Sequence, residues 1–412
     1  MSAAPALPAR RVLGALADAA SRWREPDFPP RVRALRALEA RTGYREATIE
    51  LALDRLFDSL TAERLECAIA GELGALEALD CFVARAGRPP VRYVGLRRAV
   101  IVASETTPGV ALVPLAFALC ARVPTLVKEP RDGLVRTFLA TLAEEEPALA
   151  ALARAESWPS DDLLRSRASL AGAEVVIAFG KQDSLAAIRA LLAGDARFFG
   201  YPPRTSAAYL AREALVDEPR VRALAAALAL DALLYEGEGC LSLHALFVET
   251  GGTVAPERVA ELLAEACEQV AIAYPPRAAL DADSLAVHRS ARFGAALGAA
   301  RALAAERSGA LILFEPPRDG PPPTTPPPLA ARLVSVYAIF EPAEFGDFVA
   351  AHALPLAALA TAPHPPPERI LAAALASGIS RIAPLGTLQD PPLAEHDGLP
   401  YILPFVRAVL GA

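Results

Sequence analysis

Cys240 sits in the stretch Tyr235-Glu236-Gly237-Glu238-Gly239-Cys240-Leu241-Ser242. This glycine-spaced loop presents a thiol between an apolar helical pattern at 221–234 and a strand-like run at 244–249. A structural cysteine has no need of that setting, whereas a nucleophile must be reached by its substrate and by any co-reactant. Thiolate attack on a carbonyl is therefore the chemistry on offer, with an ordinary turn that carries a cysteine as the alternative. His244, four residues on, fits either a base or a strand histidine facing a groove. Glu238 is a carboxylate close enough to raise the thiol pKa unless it points away. His396-Asp397-Gly398 offers an acid/base pair, or a turn before Leu399-Pro400. Glu341 and Glu344 flank a helix start, where carboxylates favour the dipole and are structural. Cys120 and Cys267 fall inside helical patterns and read as buried.

A second set of candidates comes from the basic residues. Of 41, only Lys128 and Lys181 are lysines, and both stand at the ends of predicted parallel strands. The elements that would position them begin after a helical region at 1–88, where apolar residues recur at three and four spacing. Strands are expected at 99–103, 124–128, 174–179 and 197–200, alternating with helices at 109–122, 134–144 and 184–193. Near-continuous apolar strands alternating with helices imply a parallel sheet covered on both faces. Ligands on such sheets lie beyond the carboxyl ends of the strands. Those ends are residues 104–109, Lys128-Glu129-Pro130, and Gly180-Lys181-Gln182-Asp183-Ser184. No G-x-G-x-x-G fingerprint or P-loop occurs there. Gly180 and the polar residues after it suit a phosphate at a helix N-terminus, or a plain strand-to-helix turn.

A second α/β unit is expected from residue 211, with strands at 243–248, 310–314, 333–340 and 355–361. Its helices are expected at 256–271, 283–306, 343–351 and 368–376, with a proline-rich surface excursion at 315–328. The whole chain has 412 residues, enough for a large core and two or three domains. A net charge of -7 argues against a nucleic-acid partner. Mean hydropathy is +0.31, yet no apolar run reaches the ~18 residues of a spanning helix. Five scattered cysteines without metal spacing suit a reducing cytosol, and no signal peptide is evident. The expectation is a soluble, cytoplasmic α/β protein.

Four stretches, taken in order, carry a family resemblance. They are 103–114, Pro124-Thr125-Leu126-Val127-Lys128, Gly237-Glu238-Gly239-Cys240-Leu241-Ser242, and Ser380-Arg381-Ile382-Ala383-Pro384-Leu385-Gly386. The last is followed by Gln389, Pro391, Pro392 and His396-Asp397-Gly398. Together they resemble the aldehyde dehydrogenase superfamily, and within it the acyl-CoA reductase branch typified by the fatty acid reductase of bacterial luminescence. The resemblance implies an aldehyde-dehydrogenase-like α/β fold: two parallel-sheet, Rossmann-like domains with an N-terminal helical region. The implied division is 1–88 helical, 89–210 binding the nicotinamide cofactor with 1–88 and 385–412 packed on it, and 211–384 carrying the nucleophile.

The resemblance also assigns roles. Cys240 becomes the nucleophile toward an acyl thioester on coenzyme A or an acyl-carrier protein, with NADPH or NADH as reductant. Lys128 would meet the adenosine ribose, and Gly180, Lys181 and Ser184 would complete the cofactor edge. Glu238, His396 and Asp397 would line the substrate pocket, and His244 would assist as base. Thr106 stands where relatives carry an oxyanion-stabilising asparagine, and Glu238 where they commonly carry glutamine. Aldehyde-oxidising relatives place a glutamate base where this chain reads Phe198-Phe199-Gly200-Tyr201-Pro202-Pro203-Arg204-Thr205-Ser206, with no carboxylate. Reduction of a thioester therefore outranks hydrolysis to an acid. An acyl-phosphate reductase of the same fold and a catalytically silent scaffold are the alternatives. Relatives pair through a strand extension, which leaves room for a homo-oligomer.

Overall fold

The computed structural model describes residues 7–104, 107–192, 194–318, 320 and 328–411. The chain divides into two compact units. One comprises Met1–Thr42, Ile49–Pro203 and Pro392–Ala412, the other Gly43–Thr48 and Arg204–Pro391.

The first unit opens with helices Ala9–Arg24 and Pro29–Thr42. Fully buried Trp23 stacks on Phe57 at 4.9 Å and donates from Nε1 to Thr141 Oγ1 at 3.1 Å. That contact ties the helical region to helix Leu134–Glu145. Strands β1 (Val83–Arg85) and β2 (Arg88–Gly95) follow. Then come β3 (Ala99–Val102), β4 (Thr125–Lys128), β5 (Ala153–Glu156), β6 (Val175–Phe179) and β7 (Arg197–Tyr201). These five form a parallel sheet in the order β5-β4-β3-β6-β7. Winding runs outward from β3 in both directions, which places a topological switch point between β3 and β6. Strand β5 was not expected. Its Ala-Arg-Ala-Glu sequence alternates at a sheet edge with Arg154 exposed, so no continuous apolar run marks it.

The second unit holds a seven-stranded sheet. Its strands are β8 (Thr205–Leu210), β9 (Leu243–Glu249), β10 (Arg301–Ala305), β11 (Ala310–Glu315), β12 (Leu333–Ile339), β13 (Leu356–Ala362) and β14 (Arg381–Pro384). Their order is β10-β11-β12-β9-β8-β13-β14, parallel except for the β10–β11 hairpin. Strand β8 pairs with β9 and β13, so the chain divides before Arg204, where the sequence had suggested residue 210. The helix expected at 283–306 ends at Leu297, and Gly298 lies beyond it with an extended backbone. Residues 301–305 then turn back as an edge strand. Apolar content alone did not separate helix from strand in that alanine-rich stretch.

After residue 391 the chain re-enters the first unit. There β15 (Glu395–His396) pairs with β16 (Leu399–Pro400), and β17 (Val406–Leu410) pairs antiparallel with β2.

Candidate active site

The loop that carries Cys240 begins where helix Glu218–Leu233 ends. Tyr235, Glu236 and Gly237 all have positive φ, at 54°, 61° and 71°. Only glycine adopts that conformation without penalty; each of the others costs roughly 1–2 kcal/mol. Tertiary contacts hold the turn in place. Glu236 is buried, accepts from the Arg277 amide at 3.0 Å and is paired with the buried Arg332 guanidinium. The Arg332 amide in turn donates to the Glu236 carbonyl at 2.9 Å. A Cβ on Gly237 would lie 3.1 Å from both the Ala232 carbonyl oxygen and the Arg332 amide nitrogen, so the backbone passes too close for a side chain.

Beyond the turn, Ser242 Oγ accepts from the Gly239 amide at 3.1 Å and from Gln389 Nε2 at 2.9 Å. The Ser242 amide donates to the Gly239 carbonyl at 2.9 Å, closing a tight loop around Cys240. Ser206 Oγ donates to the Cys240 carbonyl at 3.1 Å. The Cys240 residue is partly exposed. By contrast Cys120 and Cys267 are buried, and burial pushes each thiol up to about 12.

Glu238 does not face the loop as a bare charge. Its carboxylate is paired with Arg277, whose guanidinium lies 5.8 Å from the Tyr44 ring centroid, and Tyr44 Oη approaches Glu238 at 3.5 Å. His244 is buried at the start of β9, with Nδ1 2.8 Å from the Ser242 carbonyl oxygen. Burial lowers its pKa, against the upward pull of backbone hydrogen bonds at Ser242 and Gly237. Asp231, fully buried, accepts from the Gly386 and Leu388 amides at 2.7 and 3.0 Å. It thereby brings Gln389 against the loop.

The remaining candidates belong to the first unit. Lys128 ends β4, half buried, with Nζ 5.2 Å from the Trp158 ring centroid. Gly180 follows β6 and donates its amide to the Tyr201 carbonyl at 3.3 Å. Lys181 is the N-cap of helix Gln182–Ala190 without a side-chain cap bond, and both it and Ser184 are exposed. His396 sets its ring edge-on to Tyr201 at 4.4 Å and to Phe179 at 5.6 Å, at the carboxyl ends of β7 and β6. Asp397, with φ 52°, makes the turn beside it. Burial raises the Tyr201 pKa, and the nearby Asp397 and Glu72 carboxylates add to the shift. Thr106 lies outside the described residues.

Cys240, Glu238 and His244 thus share one unit, while Lys128, Gly180, Lys181, Ser184, His396 and Asp397 share the other. Sequence reasoning missed Arg277, Arg332, Tyr44, Asp231 and Ser206 as supports of the loop. Nothing in their spacing points to it, since each reaches the loop through tertiary structure. Among the described residues no cluster suits a metal ion, and no helix is long and apolar enough to cross a membrane.

Residues 4–408 match the model of a family described as "Acyl-CoA reductase (LuxC)". The chain belongs to that family. No curated protein matches it. Among solved structures, the chain is similar to an NAD-dependent benzaldehyde dehydrogenase from Corynebacterium glutamicum. The TM-score is 0.71 at 13% identity, covering 98% of this chain and 86% of that one. It is also similar to a succinic semialdehyde dehydrogenase from Streptococcus pyogenes in complex with NADP+, with TM-score 0.68, 12% identity and 98% and 90% coverage. A third is aldehyde dehydrogenase 21 from Physcomitrella patens, with TM-score 0.67, 11% identity and 98% and 86% coverage. The fold is that of the aldehyde dehydrogenases, and this member of the acyl-CoA reductase family is an oxidoreductase acting on aldehyde or acyl groups.

Proposed function

We propose that this chain reduces an acyl thioester to an aldehyde, with NADPH or NADH, through an acyl group carried on Cys240. The observation that carries the reading is the loop itself: a partly exposed cysteine on a backbone clamped at Ser206, Gly239 and Ser242. Clamping of this kind suits a nucleophile, whose sulfur must meet the carbonyl at a fixed approach. Arg277 supports it further by pairing with Glu238, the nearest carboxylate in sequence, so that the Cys240 thiolate does not meet an unbalanced negative charge.

In the first step Cys240 Sγ forms a bond to the acyl carbon, and the bond from that carbon to the carrier sulfur breaks. The carrier thiolate leaves and takes a proton. A nicotinamide supplies hydride to the acyl carbon when bound. The Cys240–carbon bond then breaks, releasing aldehyde and restoring the thiolate. We assign Lys128, Gly180, Lys181 and Ser184 to holding the dinucleotide, Thr106 to the oxyanion, and His396 and Asp397 to the substrate pocket. The donor set suits an anion-bearing dinucleotide, since a half-buried lysine at β4 and an exposed lysine at a helix N-terminus stand at the carboxyl edge of one sheet. Buried His244, bonded to backbone, braces the loop and is not assigned proton transfer. The thioester carrier is coenzyme A or an acyl-carrier protein, and cysteines that form no disulfide among the described residues suit the cytosol.

The test is single-turnover oxidation of NADPH and NADH with a panel of acyl-CoA and acyl-carrier-protein thioesters, wild type against Cys240→Ala. Aldehyde formation that Cys240→Ala abolishes, with an acyl mass on the Cys240 peptide when no nucleotide is added, is expected. Equal oxidation by wild type and variant would overturn the reading.

A further inference from the structure

Helix Ala282–Leu297 lies against β10 and β11. It starts at Asp281, which caps it by accepting from the Ser284 amide at 2.8 Å. Its inner stripe is fully accounted for. Val287, Ala291 and Ala295 pack on Leu311, Leu313 and Leu333. Ser284 Oγ accepts from the Ala331 amide at 3.2 Å, and His288 Nε2 donates to the Ala331 carbonyl at 2.8 Å.

A helix that buries one stripe against a sheet ordinarily gives water a polar face. This one does not. Leu285, Arg289, Phe293 and Leu297 recur every four residues and so share a face. Leu285 is 40% exposed, Phe293 67% and Leu297 74%, with Ala286 and Ala296 exposed as well. The charge on this segment has one sign. Between Asp283 and Glu306 the chain carries Arg289, Arg292 and Arg301 and no carboxylate. Arg301 is paired with Glu257, whereas among the described residues Arg289 and Arg292, both exposed, have no carboxylate partner.

Size and charge decide what covers such a face. A stable protein interface takes about 800 Å² from each partner, closely matched in shape. Side chains this exposed form a ridge one helix wide and about 24 Å long, at 1.5 Å for each of its 16 residues. A bilayer needs no matched surface. It yields to a few Phe and Leu side chains, while its anionic headgroups meet the arginines beside them. The chain as a whole carries -7, so an anionic surface would attract it through this segment and not generally.

We propose that helix Ala282–Leu297 seats the protein on an anionic lipid surface, with Phe293 and Leu297 inserted among acyl chains and Arg289 and Arg292 on headgroup phosphates. The proposal goes beyond the thioester reading and does not depend on it.

Flotation of the full chain with vesicles tests this. Wild type should float with vesicles of two parts phosphatidylcholine to one part phosphatidylglycerol, and more weakly with phosphatidylcholine alone. Phe293→Ser should lower the partition coefficient about tenfold or more, and Leu297→Ser likewise. Arg289→Gln/Arg292→Gln should lower it about tenfold or more on the anionic vesicles and little on the neutral ones. All four side chains are exposed, so the thermal midpoint should stay at the wild-type value. A wild type that stays in solution with both vesicles, or a Phe293→Ser/Leu297→Ser variant that floats like wild type, would overturn the proposal. So would a dimer that Phe293→Ser dissolves while neither vesicle is bound, since the face would then belong to a second copy of this chain.

Discussion

Arg277 balances the carboxylates beside Cys240, the proposed nucleophile. It approaches both Glu236 and Glu238, and its own backbone amide is bonded to the first of these. A carboxylate two residues from a catalytic thiol works against the thiolate only if its charge is left unbalanced. Replacing Arg277 with Met should therefore slow iodoacetamide alkylation of Cys240 at pH 7.5 several-fold and lower the acylation rate with it. The double variant Arg277→Met/Glu238→Gln should recover most of the loss, as read by peptide mapping. Recovery is the informative outcome, because a loop that had merely lost its shape would not regain reactivity when a second contact is removed. Glu238 was legible in the sequence as a problem, but its solution was not, because Arg277 lies 39 residues further along the chain.

At the scale of elements, the loop and the strands differ in how they were readable. Strands β6, β12 and β13 are almost wholly buried and announce themselves as unbroken apolar runs. Strand β5 is marked only by alternation at an edge, and β10 only by a glycine break in an alanine-rich segment, so both were missed. The left-handed turn was illegible for another reason: Tyr and Glu do not favour positive φ, and only the neighbouring Gly237 hinted at one. Arg277 and Arg332 impose it from outside the segment. Gly237→Ala should cost about 1–2 kcal/mol from its conformation alone, with a further loss from the close approach of Ala232 and Arg332. Urea denaturation would measure the stability change. Cys240 acylation, followed in parallel, should fall more steeply than stability, since the strained turn sets where the thiol stands.

The whole molecule depends on a strand that arrives late in the chain. Strand β17 covers one edge of β2, and Arg197 donates to the Pro404 and Val406 carbonyls at 3.2 and 2.8 Å. Glu72 accepts from the amides of Ile402 and Leu403 at 2.9 and 3.0 Å, fixing the approach to that strand. Deleting residues 406–412 should bare the edge of β2 and remove an acceptor from Arg197. The expected outcome is a lower thermal midpoint and increased light scattering, because an uncovered edge is a template for intermolecular pairing. A truncated chain that melts like the full one would show that the pairing contributes little. The chain order has a further consequence during translation. Residues 204–391, which form nearly all of the second unit, leave the ribosome before 392–412, which the first unit still lacks. A chain cut just after residue 391 therefore has every segment of the unit bearing the thiol, while the other unit lacks the strand that covers β2. A ribosome that stalls beyond residue 391 would, on rescue, release a chain able to form the Cys240 loop but with an unfinished first unit, a natural substrate for chaperones and quality-control proteases.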